Sequence, residues 1–356
     1  MKNKENMEKI NMRKILLIST LALLMVFINI SVQAKDDVSG SSAGEFLKVG
    51  AAGSQFLKIG IGARAMGMAG AYSSIANDLT ALYWNPAGVA EVKGMNGEFH
   101  YTQWFAGFSH SFAAVSMPIS EQFTASAHLV SFTSDKIPIT TIAQPEGTGS
   151  HYTVNDIVAG VSISGFLTDQ FSFGVTGKMV HNAFSSLNSS GFAFDVGTLY
   201  DTEIQGIKLG FAIFNLGSEM EYEGQDLKTT KKYIEDLKAA PWDVTFLANP
   251  YTMPLVFRAG ISSEVVNMEE HKVIVAGDFV TLSDTPEQFA VGAEYTWNEL
   301  VSIRAGYRFG HDQLGFSGGI GFSYITGGVK GQIDYSITPT ADIGLVNRLS
   351  VAVGLD

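Results

Sequence analysis

The 356-residue chain carries 23 Lys and Arg against 35 Asp and Glu, a formal net charge of −12, with 38 glycines and no cysteine. An acidic chain this sparse in cations lacks the basic footprint that nucleic-acid binding needs. The absence of thiols excludes disulfides, thiolate metal sites, cysteine nucleophiles and a lipidated cysteine anchor, and 46% hydrophobic against 16% charged residues is too apolar for a disordered chain.

Residues 1–34 read as a signal peptide. Lys2, Lys4, Lys9, Arg13 and Lys14 form a basic n-region, Ile15 to Ile30 is an apolar run, and Val32-Gln33-Ala34 is a small-residue cleavage pattern. The run spans 16 residues and includes Ser19, Thr20 and Asn29, short of the roughly 20 that a membrane anchor needs. Removing five basic and two acidic side chains with this segment takes the remaining chain from −12 to −15.

Residues 35–95 do not alternate between apolar and polar. They contain Phe46-Leu47-Lys48-Val49-Gly50 and its near copy Phe56-Leu57-Lys58-Ile59-Gly60, then a run of small residues from Gly60 to Ala71. Asn77-Asp78 and Tyr83-Trp84-Asn85-Pro86-Ala87-Gly88 follow. Small residues this dense allow close backbone packing, as a plug inside a barrel requires. Asn-Pro-Ala-Gly is turn chemistry, because a residue before proline is pushed out of the α region.

From residue 96 the dominant pattern has a period of two, the signature of strands. Val301, Ile303, Ala305, Tyr307 and Phe309 alternate with Ser302, Arg304, Gly306 and Arg308; Phe289, Val291, Ala293, Tyr295 and Trp297 do the same with Ala290, Gly292, Glu294 and Thr296. The pattern predicts fourteen strands, over 96–105, 107–117, 121–134, 153–166, 169–182, 190–201, 205–216, 251–266, 270–283, 286–297, 299–309, 314–325, 327–337 and 345–355. Connections after even-numbered strands are short, whereas both long loops, 135–152 and 217–250, follow odd-numbered ones. A soluble sandwich has no reason to sort loop length by strand parity; an outer-membrane barrel does so, with short periplasmic turns and longer external loops. The two faces point the same way. One carries the large apolar residues and aromatics such as Trp297, Tyr307 and Tyr324, while the other is mostly Gly, Ala and Ser with isolated charges. A lipid-facing belt around a small, polar interior accounts for both. The expected fold is therefore an all-β, 14-stranded antiparallel transmembrane barrel over 96–356, with 35–95 as a hatch inside it. Within the second long loop, Thr229 to Ala239 reads as a short amphipathic helix capped by Thr229 or Thr230.

The hatch segment resembles the PorV/PorQ family of outer-membrane proteins associated with the type IX secretion system and, more distantly, the FadL-type transporters. The resemblance rests on Phe56, Leu57, Gly62, Ala63, Arg64, Ala65 and the Tyr83–Gly88 stretch. Members often carry two aspartates where this chain has Asn77-Asp78, and a glycine where Ala69 stands. The resemblance implies a non-enzymatic outer-membrane component of protein secretion. Its partners would be outer-membrane lipids, translocon and attachment proteins, and the C-terminal domains of secreted cargo. The FadL-type alternative is a channel for hydrophobic small molecules. Arg64, Asn77, Asp78, Trp84, Asn85, Pro86 and Gly88 are then the hatch residues that hold or gate it.

Inward-facing Asp278, Glu294, Arg304, Arg308, Lys330 and Asp334 are candidates either for a polar path or for pairs that hold the hatch, with Arg64 the best hatch partner. No cofactor is expected. Gly315-Phe316-Ser317-Gly318-Gly319 matches a nucleophile elbow by letter but lies in an alternating strand with no helix after it. Gly60, Gly62 and Gly67 miss the spacing of a phosphate loop. The seven histidines are scattered and lack an i, i+4 pair.

Overall fold

The computed structural model describes residues 52–232 and 240–355. The signal peptide, the 46–50 copy of the duplication, and Ile234 and Leu237 of the expected helix lie outside the described residues.

Fourteen strands form the barrel wall: β1 (Met95–Gln103), β2 (Phe108–Pro118), β3 (Phe123–Ser134), β4 (Val154–Thr168), β5 (Phe171–Phe184), β6 (Leu187–Asp201) and β7 (Lys208–Gly217), followed by β8 (Val256–Asn267), β9 (His271–Leu282), β10 (Gln288–Trp297), β11 (Val301–Phe309), β12 (Phe316–Thr326), β13 (Val329–Pro339) and β14 (Leu345–Leu355). Each pairs antiparallel with its neighbours in sequence, and β1 closes the ring against β14 through Met95↔Leu355 to Gln103↔Asn347. Every barrel strand overlaps its expected span. The largest departure is β8, expected from 251 but beginning at Val256. Pro254 has no N–H to give a ladder, so Tyr251 and Thr252 make only isolated bridges, to Met220 and Ala52.

Alternation sorts the side chains as the period demands. On β11, Ile303 is 56% exposed and Tyr307 45%, while Ser302 and Arg304 beside them are buried. The same outward set includes Phe99, Val115, Val161, Val291, Phe322 and Leu349. An exposed apolar belt of this extent, running right around the wall, is a lipid-facing surface.

The second long connection corrects one expectation. Lys228–Lys231 and Trp242–Thr245 form a two-stranded hairpin, so Thr229 and Thr230 pair with Val244 and Asp243 in a ladder and cap no helix.

The hydrophobic core of the molecule lies inside the wall and is made chiefly by the hatch. Residues 52–94 fold into short pieces: one-turn helices at Ala63–Gly67 and Ala81–Trp84, and 3-10 turns at Gln55–Lys58 and Pro86–Glu91. Tyr72, Met66, Met68, Leu79, Leu82 and Trp84 are almost wholly buried. The lumen face accommodates this plug by omitting side chains. A Cβ on Gly306 would strike the backbone of Met68, and one on Gly292 would come 2.7 Å from the Met68 carbonyl oxygen. Across the lumen, Gly174 and Gly197 give the same close approach to Pro86 and Asn85.

Candidate functional site

A plug without regular ladders must satisfy its backbone groups elsewhere, because unpaired polar groups out of water cost about 1–3 kcal/mol each. The inward side chains of the wall supply the partners. Asn85 shows how the Asn-Pro-Ala-Gly turn uses them. Proline pre-sets the first position of the 3-10 turn, and the Asn85 carbonyl oxygen Oδ1 accepts from Ala87 N at 3.2 Å. The amide Nδ2 of Asn85 donates to Ser73 O at 2.9 Å and to Thr198 O on β6 at 3.0 Å. Ser164 Oγ donates to Pro86 O and Ser172 Oγ to Ala87 O. Gly88 closes the turn against the Ala76 carbonyl, where no Cβ fits. Asn85→Ala removes three bonds at a fully buried position. It should lower barrel stability by about 2–4 kcal/mol on urea unfolding in detergent, with more than one orphaned group contributing.

Arg64 is the centre of the main lock. It forms a two-pronged pair with Glu294 on β10, Nε to Oε2 and Nη2 to Oε1 at 2.8 Å each. Its Nη1 donates to Asn77 Oδ1 at 2.6 Å and lies 3.7 Å from Asp78 Oδ2. Glu294 also accepts from Arg304 Nε at 2.5 Å, and Arg304 Nη1 reaches Asp334 Oδ1 at 2.6 Å. The register explains the meeting: Glu294 and Arg304 are direct cross-strand partners on β10 and β11. Asp78 is held in turn by Tyr72 Oη and by the Thr80 backbone and hydroxyl. The Trp84 indole donates to Ile61 O at 2.8 Å, so this ring pins the hatch to itself.

The candidate lumen residues thus divide into three groups. Glu294, Arg304 and Asp334 join Arg64 in one network. Asp278 and Arg308 grip the hatch backbone separately, Asp278 Oδ2 accepting from Ser73 N at 3.0 Å and Arg308 donating from Nε and Nη2 to Ala69 O. Ala69 has φ +55, in the left-handed region that glycine favours. Lys330 is exposed at the rim of a cavity and makes no contact with this network.

A second lock was not legible in the sequence. Ala63 N donates to Ser350 Oγ at 2.7 Å, Ser350 Oγ meets His100 Nδ1 at 2.6 Å, His100 Nε2 meets Glu98 Oε2 at 2.9 Å, and Leu79 N donates to Glu98 Oε1. The chain begins and ends on the hatch. Its residue types match a nucleophilic triad, but Ser350 is buried, its oxygen is already occupied by an amide, and neither Ser350 nor His100 lines any of the cavities described below. The only cue in the sequence was a histidine at an inward position of β1. Ser317 of the elbow-like letters sits within β12, sharing a hydrogen bond with Thr338. Among the described residues no group of three or more His, Asp or Glu is arranged to hold a metal ion.

Cavities flank the hatch. On the side of the short turns, a polar cavity of about 520 Å³ is lined by residues including Asp78, Glu98, Lys208, Glu264, Lys272 and Lys330. On the long-loop side, a narrow cleft of about 30 Å³ runs between Phe56, Leu57 and Leu82 of the hatch and Phe112, Val130 and Val158 of the wall. A third, of about 80 Å³, lies beside Trp84 beneath the loop between β11 and β12. In that loop His311 Nδ1 accepts from the backbone N–H groups of Gln313 and Leu314 at 3.1 Å each. Burial, with the Arg308 cation adding to it, pushes the imidazole down to about 4. The unfolded chain takes up the proton first as pH falls, so this stabilisation is complete above about 6.5 and is lost between there and about 4. His311→Asn keeps an acceptor without a titrating proton; the difference in Tm between wild type and variant should change across that window and be flat above it.

No family model matches the chain, and no curated protein does either. Solved structures do. The Pseudomonas putida toluene transporter TodX is 13% identical, with 81% of this chain and 96% of that one covered at a TM-score of 0.57. The Ralstonia pickettii toluene transporter TbuX is 12% identical, over 83% and 97%, at 0.54. A Pseudomonas aeruginosa FadL homologue is 11% identical, over 84% and 99%, at 0.50. The molecule is thus a closed, 14-stranded antiparallel β-barrel. Its fold is that of the FadL-type outer-membrane barrels.

Proposed function

We propose that this chain is an outer-membrane channel for small hydrophobic compounds. The observation that carries the reading is the narrow, largely apolar cleft on the long-loop side of the hatch, which Lys178, Asp195 and Arg258 also border. There a permeant would meet Phe56, Leu57, Leu82, Phe112 and Val130, in a barrel whose mid-section is filled with buried hatch side chains. A lumen plugged in this way suits a selective apolar route better than a wide aqueous pore. The fold similarity to barrels described as toluene transporters supports the same reading. A role in type IX secretion rests on the hatch motif alone and gains no support from the comparisons.

Cells producing the protein in their outer membrane should take up radiolabelled toluene faster than cells carrying the empty vector. Loss of secreted and surface-attached proteins on deleting the gene, with toluene entry unchanged, would overturn this function in favour of cargo handling.

A further inference from the structure

The third cavity has a charge imbalance that transport of neutral compounds does not explain. Arg258, on β8, and Arg308, on β11, both line it. Neither forms an ion pair with a carboxylate among the described residues. Lys58 lines it as well, but its ammonium is already matched by Asp284 at 3.0 Å. Arg258 is 93% buried and its Nε has no hydrogen-bond partner. Its guanidinium lies 4.3 Å from the ring centroid of Trp84 and 5.0 Å from that of Tyr83. The rings hold the cation by its charge and do not supply a carboxylate partner for its N–H donors. Two further donors converge on the same space. The Thr285 hydroxyl lining it is unpartnered. His311, whose Nδ1 is committed as an acceptor, carries its proton on Nε2.

The charge of buried Asp278 reaches both arginines without an ion pair to either, so two guanidinium groups and one carboxylate leave a net positive charge buried together, which is costly. An anion between them removes that cost and uses the donors of Arg258 together with those that Arg308 does not give to Ala69 O. A single water needs about 10–15 Å³, so a cavity of about 80 Å³ has room for a small oxoanion. We propose that this cavity is an anion-binding site, taking the carboxylate of a small organic acid or an inorganic oxoanion on Arg258 and Arg308. Both sources present the same chemistry, two or more anionic oxygens in the spacing that a guanidinium fork recognises. The flanking Trp84 and Tyr83 rings favour an aromatic acid over phosphate.

The test is calorimetric titration of the full-length barrel in detergent with sodium benzoate, with inorganic phosphate and, as a neutral control, with benzyl alcohol. Saturable binding of benzoate or phosphate, absent for the alcohol, is expected. Benzoate alone would assign an organic carboxylate, whereas competition by phosphate would assign oxoanions generally. Arg258→Gln and Arg308→Gln should each weaken binding by at least about tenfold, the loss of one charged hydrogen-bond partner. Arg258→Lys should retain part of the affinity, and Lys330→Gln at the far rim all of it. If Arg258→Gln does not fold, as read by heat-modifiable migration on a gel, Arg308→Gln decides the matter. No saturable anion binding to the folded wild type, or unchanged affinity in the arginine variants, would overturn the site. The measurement is made on isolated protein, so its outcome does not depend on whether hydrocarbons cross the barrel.

Discussion

Glu294→Ala should lower the stability of the barrel by about 3–5 kcal/mol, measured by urea unfolding from lipid vesicles. The magnitude follows from position. Glu294 is 4% exposed and accepts from both Arg64 and Arg304, and removing one partner of a buried ionic network leaves uncompensated charge behind. Arg304 keeps Asp334, whereas Arg64 keeps Asn77, a longer contact to Asp78 and the face of the Tyr72 ring. The hatch side of the network should therefore suffer more than the wall side. Arg64→Met in the Glu294→Ala background should restore part of the loss, because the stranded cation goes with it. A double-mutant cycle measures this directly. Additive effects of the two substitutions would show that the pair does not hold the hatch.

Two adjacent residues on β10 should fail in opposite ways. Val291 is 48% exposed on the outer face, and arginine there should cost about 2–4 kcal/mol if the site lies near the bilayer midplane. The expected result is poor insertion into vesicles with the hatch still seated in whatever fraction folds. Gly292 faces inward, and a side chain there meets Met68. Gly292→Leu should insert normally but displace the hatch, so that limited trypsin treatment cuts at Arg64, which is protected in the wild type. Equal insertion defects in both variants, or tryptic protection in both, would contradict the assignment of the two faces.

The wall was legible in the sequence because its signal is local. Period-two alternation, turn residues and loop lengths all act within about ten residues, and each strand overlapped its expected place. Pro254 is the cue to the late start of β8, and at Thr229 and Thr230 spacing alone does not separate a helix cap from a strand pair. The locks were harder. Arg64 and Glu294 lie 230 positions apart, and their meeting depends on how deeply the hatch seats against β10, which no local pattern records. Arg304 and Arg308 were identifiable as charges among small inward residues. Arg258 carries the same cue, since it alternates with Phe257 and Ala259, and is missing from the expected lumen set. Ser350 offers no cue at all: a serine among inward small residues becomes a hatch anchor only when Ala63 arrives beside it.

The Ala63–Ser350–His100 contacts also constrain the order of assembly. His100 lies on β1 and Ser350 on β14, the two strands whose pairing shuts the ring. The hatch runs directly into β1, touching β5 and β6 through Asn85 and Pro86 on one side and β10 and β11 through Met68 on the other. A segment fitted this closely is more simply enclosed by a wall that closes around it than threaded into a ring already shut. On that order the seam zips last, with His100 and Ser350 meeting across a sequence separation of 250 residues. Closure over so long a loop is the slow event of folding. In this barrel the strand that completes the ring also takes the Ala63 end of the plug, so the seam gains that contact only where the plug is seated.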